Sequence, residues 1–159
     1  MKTIKFSISR GDIVLQAKDE TYLSARSALA VEVSNSDGRY EMQADERETH
    51  ERKLLQSLSN AVHGLKSELN EYLISGSVDD AKDEVSFELS IHDSFDSSRA
   101  DTLKTLFSNY ISKRVISEWW KANYPSFAAQ YDELTIQALS ELKRAFHYKG
   151  EAKLKKFGE

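Results

Sequence analysis

Two long helical patterns meet at Trp119-Trp120-Lys121-Ala122-Asn123-Tyr124-Pro125, and this junction constrains the chain more than any other segment. Upstream, Asp96, Ser97 and Ser98 offer helix-capping side chains, and Ser98 and Asp101 have capping-box spacing. Leu103, Phe107, Tyr110, Ile111, Arg114, Val115 and Trp119 then recur as one broad helical face. The pattern stops at Ala122-Asn123-Tyr124. Pro125 suits the first turn of a following helix, where its missing N–H removes no bond. Phe127, Tyr131, Leu134, Ala138, Leu142 and Ala145 continue at the same period, with Leu139 and Phe146 beside them. The spacing predicts a tight helical hairpin.

The rest of the chain reads as two further helices and one or two strands. A helix beginning near Ala44 or Asp45 has Asp45, Glu46 and Glu48 where the helix dipole favours negative charge. Its stripe is Leu54, Leu58, Ala61, Leu65, Leu69 and Tyr72, and Ser75-Gly76-Ser77 is read as its end. Gly64 interrupts the stripe at about 1 kcal/mol relative to alanine, unless close packing needs it. Residues Thr3 to Ile8 alternate as a half-buried strand does. Two continuations are open. Arg10-Gly11 can turn a hairpin into Ile13-Val14-Leu15, or Ser9 or Asp12 can cap a helix running through Leu29 to about Val31. The helix is preferred, because Leu15, Tyr22 and Leu29 repeat every seven residues and nothing from Asp12 to Val33 breaks it. Ser34 to Gly38 is a loop by composition.

Val85, Phe87, Leu89 and Ile91 alternate with Ser86, Glu88 and Ser90, giving a strand that needs a partner. The N-terminal alternating segment supplies one, from the same subunit or a neighbour. The expected fold is therefore mainly α: an up-and-down four-helix bundle with a small β element, strands near 3–8 and 84–91. A length of 159 residues suits one domain over 1–159, with residues 150–159 expected as a frayed basic tail.

Composition narrows the class. The chain has no cysteine, which excludes disulfides and thiolate metal sites and fits a reducing cytoplasm. No apolar run approaches the roughly eighteen residues of a membrane span, and the alternating N-terminus is unlike a signal peptide. The net charge is only −4, but it is unevenly placed. Eight acids lie between Asp79 and Asp101, opposed in that segment by Lys82 and Arg99 alone, a local charge of −6. From Lys143 to Glu159, six bases face two acids.

Catalytic and metal templates each lack a required residue. His50-Glu51 begins like a zinc-protease motif, but Leu54 stands where the second histidine belongs. His63 has no ligand at metal spacing, and reads as a surface or core-edge histidine. The run Val78 to Glu84 has carboxylates for calcium, without the ordered spacing and central glycine of a calcium loop. No phosphate-cradling glycine loop or serine elbow occurs. No catalytic, cofactor or metal residues are therefore assigned. Trp119 continues the buried line of its helix, while Trp120, about 100° away, is expected to be partly exposed on a contact surface or packed on the first helix. Trp120 with Lys149, Lys153, Lys155 and Lys156 is the candidate interaction surface. The basic tail could touch phosphates, though a solvated end is the simpler reading.

Glu20-Thr21-Tyr22 with Ala25-Arg26, Asp45-Glu46, Val85 to Ile91, Trp119-Trp120, Asn123-Tyr124-Pro125 and His147-Tyr148-Lys149 follow one another along the chain. In this order of elements the chain resembles a loose family of small phage and prophage proteins of Bacteroides-type bacteria. The chain departs from that pattern by Tyr124 before the proline and by a tail without arginine or proline. The resemblance implies a virion-morphogenesis role as a neck, connector or tail-completion protein, with no catalytic residues and no cofactor. Its implied partners are copies of itself and neighbouring virion proteins, and its place is the bacterial cytoplasm or the virion. Two other classes stay open: a small nucleic-acid-binding regulator using Lys143 to Lys156, and an enzyme using dispersed carboxylates.

Overall fold

The two alternating segments pair with each other. In a computed structural model, which describes residues 1–32 and 48–147, β1 (Lys2–Ser9) runs antiparallel to β3 (Glu84–Ile91), with Phe6 opposite Phe87 and Ile8 opposite Val85. The partner is thus in the same subunit. A third strand, β2 (Leu73–Asp79), pairs antiparallel with the other side of β3. The order β1-β3-β2 makes β3 the centre of the sheet, so Val85 to Ile91 is not an edge strand.

The helices are α1 (Arg10–Glu32), α2 (Glu48–Glu68), α3 (Ala100–Asn123) and α4 (Pro125–Phe146). The protein is mainly helical, with four helices and a three-stranded antiparallel sheet among the described residues. The segment after β1 is helix, not hairpin. The Ser9 hydroxyl accepts from the Asp12 N–H at 3.2 Å, so Ser9 acts as the starting cap. The expected onset of the second helix near Ala44, the loop Ser34 to Gly38 and the tail 150–159 lie outside the described residues.

The end of α2 differs from expectation. The helix closes at Glu68, and Ser75-Gly76-Ser77 belongs to β2 rather than to a helix terminus. Leu69 is buried and Tyr72 half-buried, so the apolar spacing of the stripe persists, but a turn delivers them and not a helix. The Leu73 N–H donates to the Leu69 carbonyl at 2.7 Å within that turn.

Side chains of one sheet face enter the core. Val85, Phe87, Leu89 and Ile91 are buried along β3, and Phe6 and Phe87 meet Phe107 of α3 with ring centroids 5.1 and 4.8 Å away. The opposite face carries Ser7, Ser77 and Ser86 in one row and a Lys5–Glu88 ion pair at 3.3 Å. Strand β1 and helices α1, α2 and α4 all pack on α3. Its buried positions run Tyr110-Ile111-Ser112, Val115-Ile116-Ser117 and Trp119-Trp120, more than one face of a helix can supply.

Arg10 joins the two ends of this arrangement. Its N–H donates to the Asp83 carbonyl at 2.9 Å, and its guanidinium pairs with Asp83 at 2.9 Å and Asp80 at 2.5 Å. Those carboxylates hold the Arg10 proton more tightly than usual. Asp83 sits in the left-handed region at φ 55°, which aspartate tolerates better than most residues. A Cβ at Gly11 would come within 2.8 Å of the Asp83 carboxylate, so the glycine permits this approach.

Two glycines give opposite expectations. Gly64 is exposed within α2, and a Cβ there meets nothing within 4 Å. Gly64→Ala is expected to raise stability by about 0.5–1 kcal/mol in urea titration. At Gly76 a Cβ would stand 3.2 Å from the Phe87 ring and 3.3 Å from Val62, both buried. Gly76→Val is expected to lower stability by about 1–3 kcal/mol.

Candidate functional site

The chain leaves β3 through a short turn that fixes one wall of a cavity. Asp96 accepts from the Ser98 N–H at 3.0 Å, starting the 3-10 turn Ser97–Arg99 that leads into α3. These hydrogen bonds from Ser98 hold the Asp96 carboxyl below its ordinary range. Lys2 of β1 donates to the Phe95 carbonyl and to the Ser97 hydroxyl, the latter at 2.9 Å. Phe95 is thereby held with its ring turned inward, 4% exposed. Helix α4 returns antiparallel to α3 and brings Glu141, Arg144 and Ala145 opposite Thr102, Leu103 and Leu106. A cavity of about 330 Å³ lies between them, with Phe95, Leu103, Leu106 and Ala145 as its apolar lining and Arg99, Thr102, Glu141 and Arg144 at its rim.

A second cleft of about 560 Å³ begins on the other side of Leu106. Ser9, Asp12 and Gln16 line one side, and Lys104, Ser108 and Asn109 the other. The two helical clefts contain one carboxylate each, Glu141 and Asp12. A third, open hollow on the outer face of the sheet holds Glu84 and Glu88.

Of the expected interaction surface, only Trp120 lies among the described residues. Trp120 is fully buried, not partly exposed, with its ring 5.2 Å from Phe127 of α4. The correction has a plain cause: the α3–α4 hairpin covers the side of α3 that a single-face reading leaves in solvent. The Trp120 indole N–H has no hydrogen-bond partner among the described residues. Lys149, Lys153, Lys155 and Lys156 lie outside the described residues. Of the basic segment that is described, Lys143 pairs with Glu68 at 3.2 Å and Arg144 lines the first cavity. His50 meets the edge of the Trp119 ring at 4.9 Å, and exposed His63 donates through Nδ1 to the Ser59 carbonyl at 2.7 Å.

The acids of residues 79–101 are also less isolated than their sequence suggests. Asp80 and Asp83 face Arg10, Glu88 faces Lys5, and Asp93 pairs with the N-terminal ammonium at 2.9 Å. Hydrogen bonding to that ammonium, with its charge, pulls the Asp93 carboxyl down. The opposing cations come from the first ten residues, a source that local charge counting misses.

Three polar contacts escaped the sequence reading because each joins side chains of two different helices. Ser112 donates to Gln16 at 3.0 Å, Lys113 pairs with Glu20 at 2.9 Å, and Ser117 donates to Asp132 at 2.5 Å. Lys121 pairs with the same Asp132 oxygen at 2.9 Å. Burial pushes the Asp132 carboxyl up, but the hydrogen bonds from Ser117 and Lys121 together outweigh it and leave the group below its ordinary value.

A depressed folded-state pKa contributes stability above the unfolded value of about 3.9 and loses it as pH falls through the folded value. Asp132→Asn is therefore expected to be less stable than the parent chain at pH 7, with the difference shrinking as pH drops below about 4. Urea midpoints measured for both at pH 7 and pH 3 check this. A difference that stays constant with pH contradicts it.

No family model, curated protein or solved structure matches the chain.

Proposed function

We propose that the protein is a non-catalytic assembly component, a neck, connector or tail-completion protein of a phage or prophage virion. It works through contacts with copies of itself or with neighbouring virion proteins. In this reading the four helices form an up-and-down frame, and the outer surfaces of that frame make the contacts.

The observation that carries the assembly reading is apolar surface left outside the core. On α1, Leu15 is 58% and Leu23 59% exposed, and Tyr22 lies two turns from Leu15 on the same side. On α4, Ile136 is 68% exposed. Large apolar side chains grouped on a helix mark contact surfaces more often than isolated ones do. Among the described residues, strands β1 and β2 each have one side unpaired by another strand, which permits strand addition by a neighbour. Patches on different elements favour heterologous contacts, the kind that close into rings. The virion assignment rests on the resemblance of the element order to small phage and prophage proteins. It places the protein in the bacterial cytoplasm and, on assembly, in the particle.

The test is incorporation. Antibody detection on gradient-purified particles, after induction of a prophage encoding the chain, is expected to find the protein in the particle fraction. Leu15→Glu with Leu23→Glu is expected to cut incorporation at least about tenfold, while thermal unfolding stays close to the parent because both sites are exposed. Absence of the parent protein from purified particles overturns the virion assignment. Full incorporation of the stable double variant overturns the role of α1.

A further inference from the structure

We propose that the cavity between the start of α3 and the last turns of α4 binds a small apolar carboxylate, an aryl- or alkyl-carboxylic acid in its ionised form. The inference stands apart from the assembly role and does not depend on it.

Its size comes first. About 330 Å³ lies at the lower end of small-ligand pockets, which span roughly 300–1,000 Å³. The lining comes second. Phe95 and Leu103 are almost fully buried, and Leu106 and Ala145 are half-buried beside them, so the floor offers apolar contact to one compact hydrophobic group. The charge of the rim comes third. Arg99, Arg144 and Glu141 line the cavity together, a net charge of +1. Arg144 makes no ion pair among the described residues.

A guanidinium presents parallel N–H donors that match the two oxygens of a carboxylate. The Thr102 hydroxyl adds a neutral donor at the same rim. Glu141 disfavours ligands bearing several negative charges, and the floor has few groups to hydrogen-bond a sugar or a base. One negative charge on a small apolar body is the chemistry that answers both parts of the site.

The rim is built on firm supports. Arg99 is the last residue of the capped 3-10 turn, directly before α3, and Arg144 lies in the last turn of α4. Lys2 anchors the Phe95 backbone from the neighbouring strand. The two arginines are 45 positions apart in sequence and meet only because α3 and α4 pack antiparallel.

Titration of the full chain with 3-phenylpropionate and with its primary amide, followed by amide NMR shifts, tests the proposal. The acid is expected to give saturable shifts confined to residues 95–106 and 141–145. It is expected to bind at least about fivefold more tightly than the amide. Arg144→Ala is expected to weaken the acid by about fivefold or more and leave the amide unchanged. Leu106→Trp, which fills the cavity, is expected to abolish both, and Ala145→Leu serves the same purpose if the tryptophan variant does not fold. No saturable shift in these segments, equal binding of acid and amide, or acid binding indifferent to Arg144→Ala overturns the proposal.

Discussion

Enclosure of α3 is the constraint on which the rest of the structure depends. A helix whose buried positions include Tyr110-Ile111-Ser112 and Val115-Ile116-Ser117 in unbroken runs cannot rest on one neighbour. It needs cover on several sides, and α1, α2, α4 and β1 provide it. Two of the enclosed residues are serines, and their hydroxyls would carry a cost in an apolar interior if left unpaired. Ser112 meets Gln16 of α1 and Ser117 meets Asp132 of α4. The polar positions therefore fix where the covering helices sit along α3. Lys113 does the same between them, pairing with Glu20 while its ammonium lies 5.9 Å from the Tyr131 ring.

The N-terminal segment closes the other layer. β1 and β3 are separated by more than seventy residues, so their pairing carries a loop-closure cost that local contacts do not. Alternation sets the register, since a one-residue slip would turn Phe6 and Ile8 away from Phe87 and Val85. Charges agree with that register. The N-terminal ammonium meets Asp93, Lys5 meets Glu88, and Arg10 meets Asp80 and Asp83. Exposed ion pairs contribute little each, about 0–1 kcal/mol, so they select the alignment more than they stabilise the sheet.

Legibility in the sequence followed the regularity of the pattern. β1, β3 and the α3–α4 hairpin were readable, because each has one apolar period repeated without interruption. β2 was not. Of its residues only Leu73 is buried and apolar, Ile74 sits exposed at a register irregularity, and Ser75, Gly76 and Ser77 look like a loop. Its strand conformation comes from pairing with β3, a tertiary cause that no local propensity expresses. Trp120 was misplaced for a related reason. A periodic stripe identifies one buried face, whereas α3 has no exposed residue from Phe107 to Trp120, and then the stripe understates what is covered. The first cavity was illegible altogether, since its lining comes from residues 95–106 and 141–145, which chemistry alone gives no reason to associate.

Side-chain size along the α3–α4 contact bears on where the cavity lies. At the connection, Trp119, Trp120, Tyr124 and Phe127 fill the space, with ring centroids 5.2 Å apart for Trp120–Phe127 and 4.9 Å for Tyr124–Phe127. Packing there is worth an unpaired donor. Burying an indole removes about 200 Å² from water, or roughly 5 kcal/mol, against about 1–3 kcal/mol for the unpaired Trp120 N–H. At the far end the facing residues are Thr102, Leu106 and Ala145, which are smaller. Phe107 and Phe146 meet beside the cavity with ring centroids 6.3 Å apart, but no aromatic of α3 or α4 lines the cavity itself, and the volume there stays unfilled. The cavity is thus a consequence of how bulk is distributed along the hairpin, and Arg99 and Arg144 give that volume its chemical character.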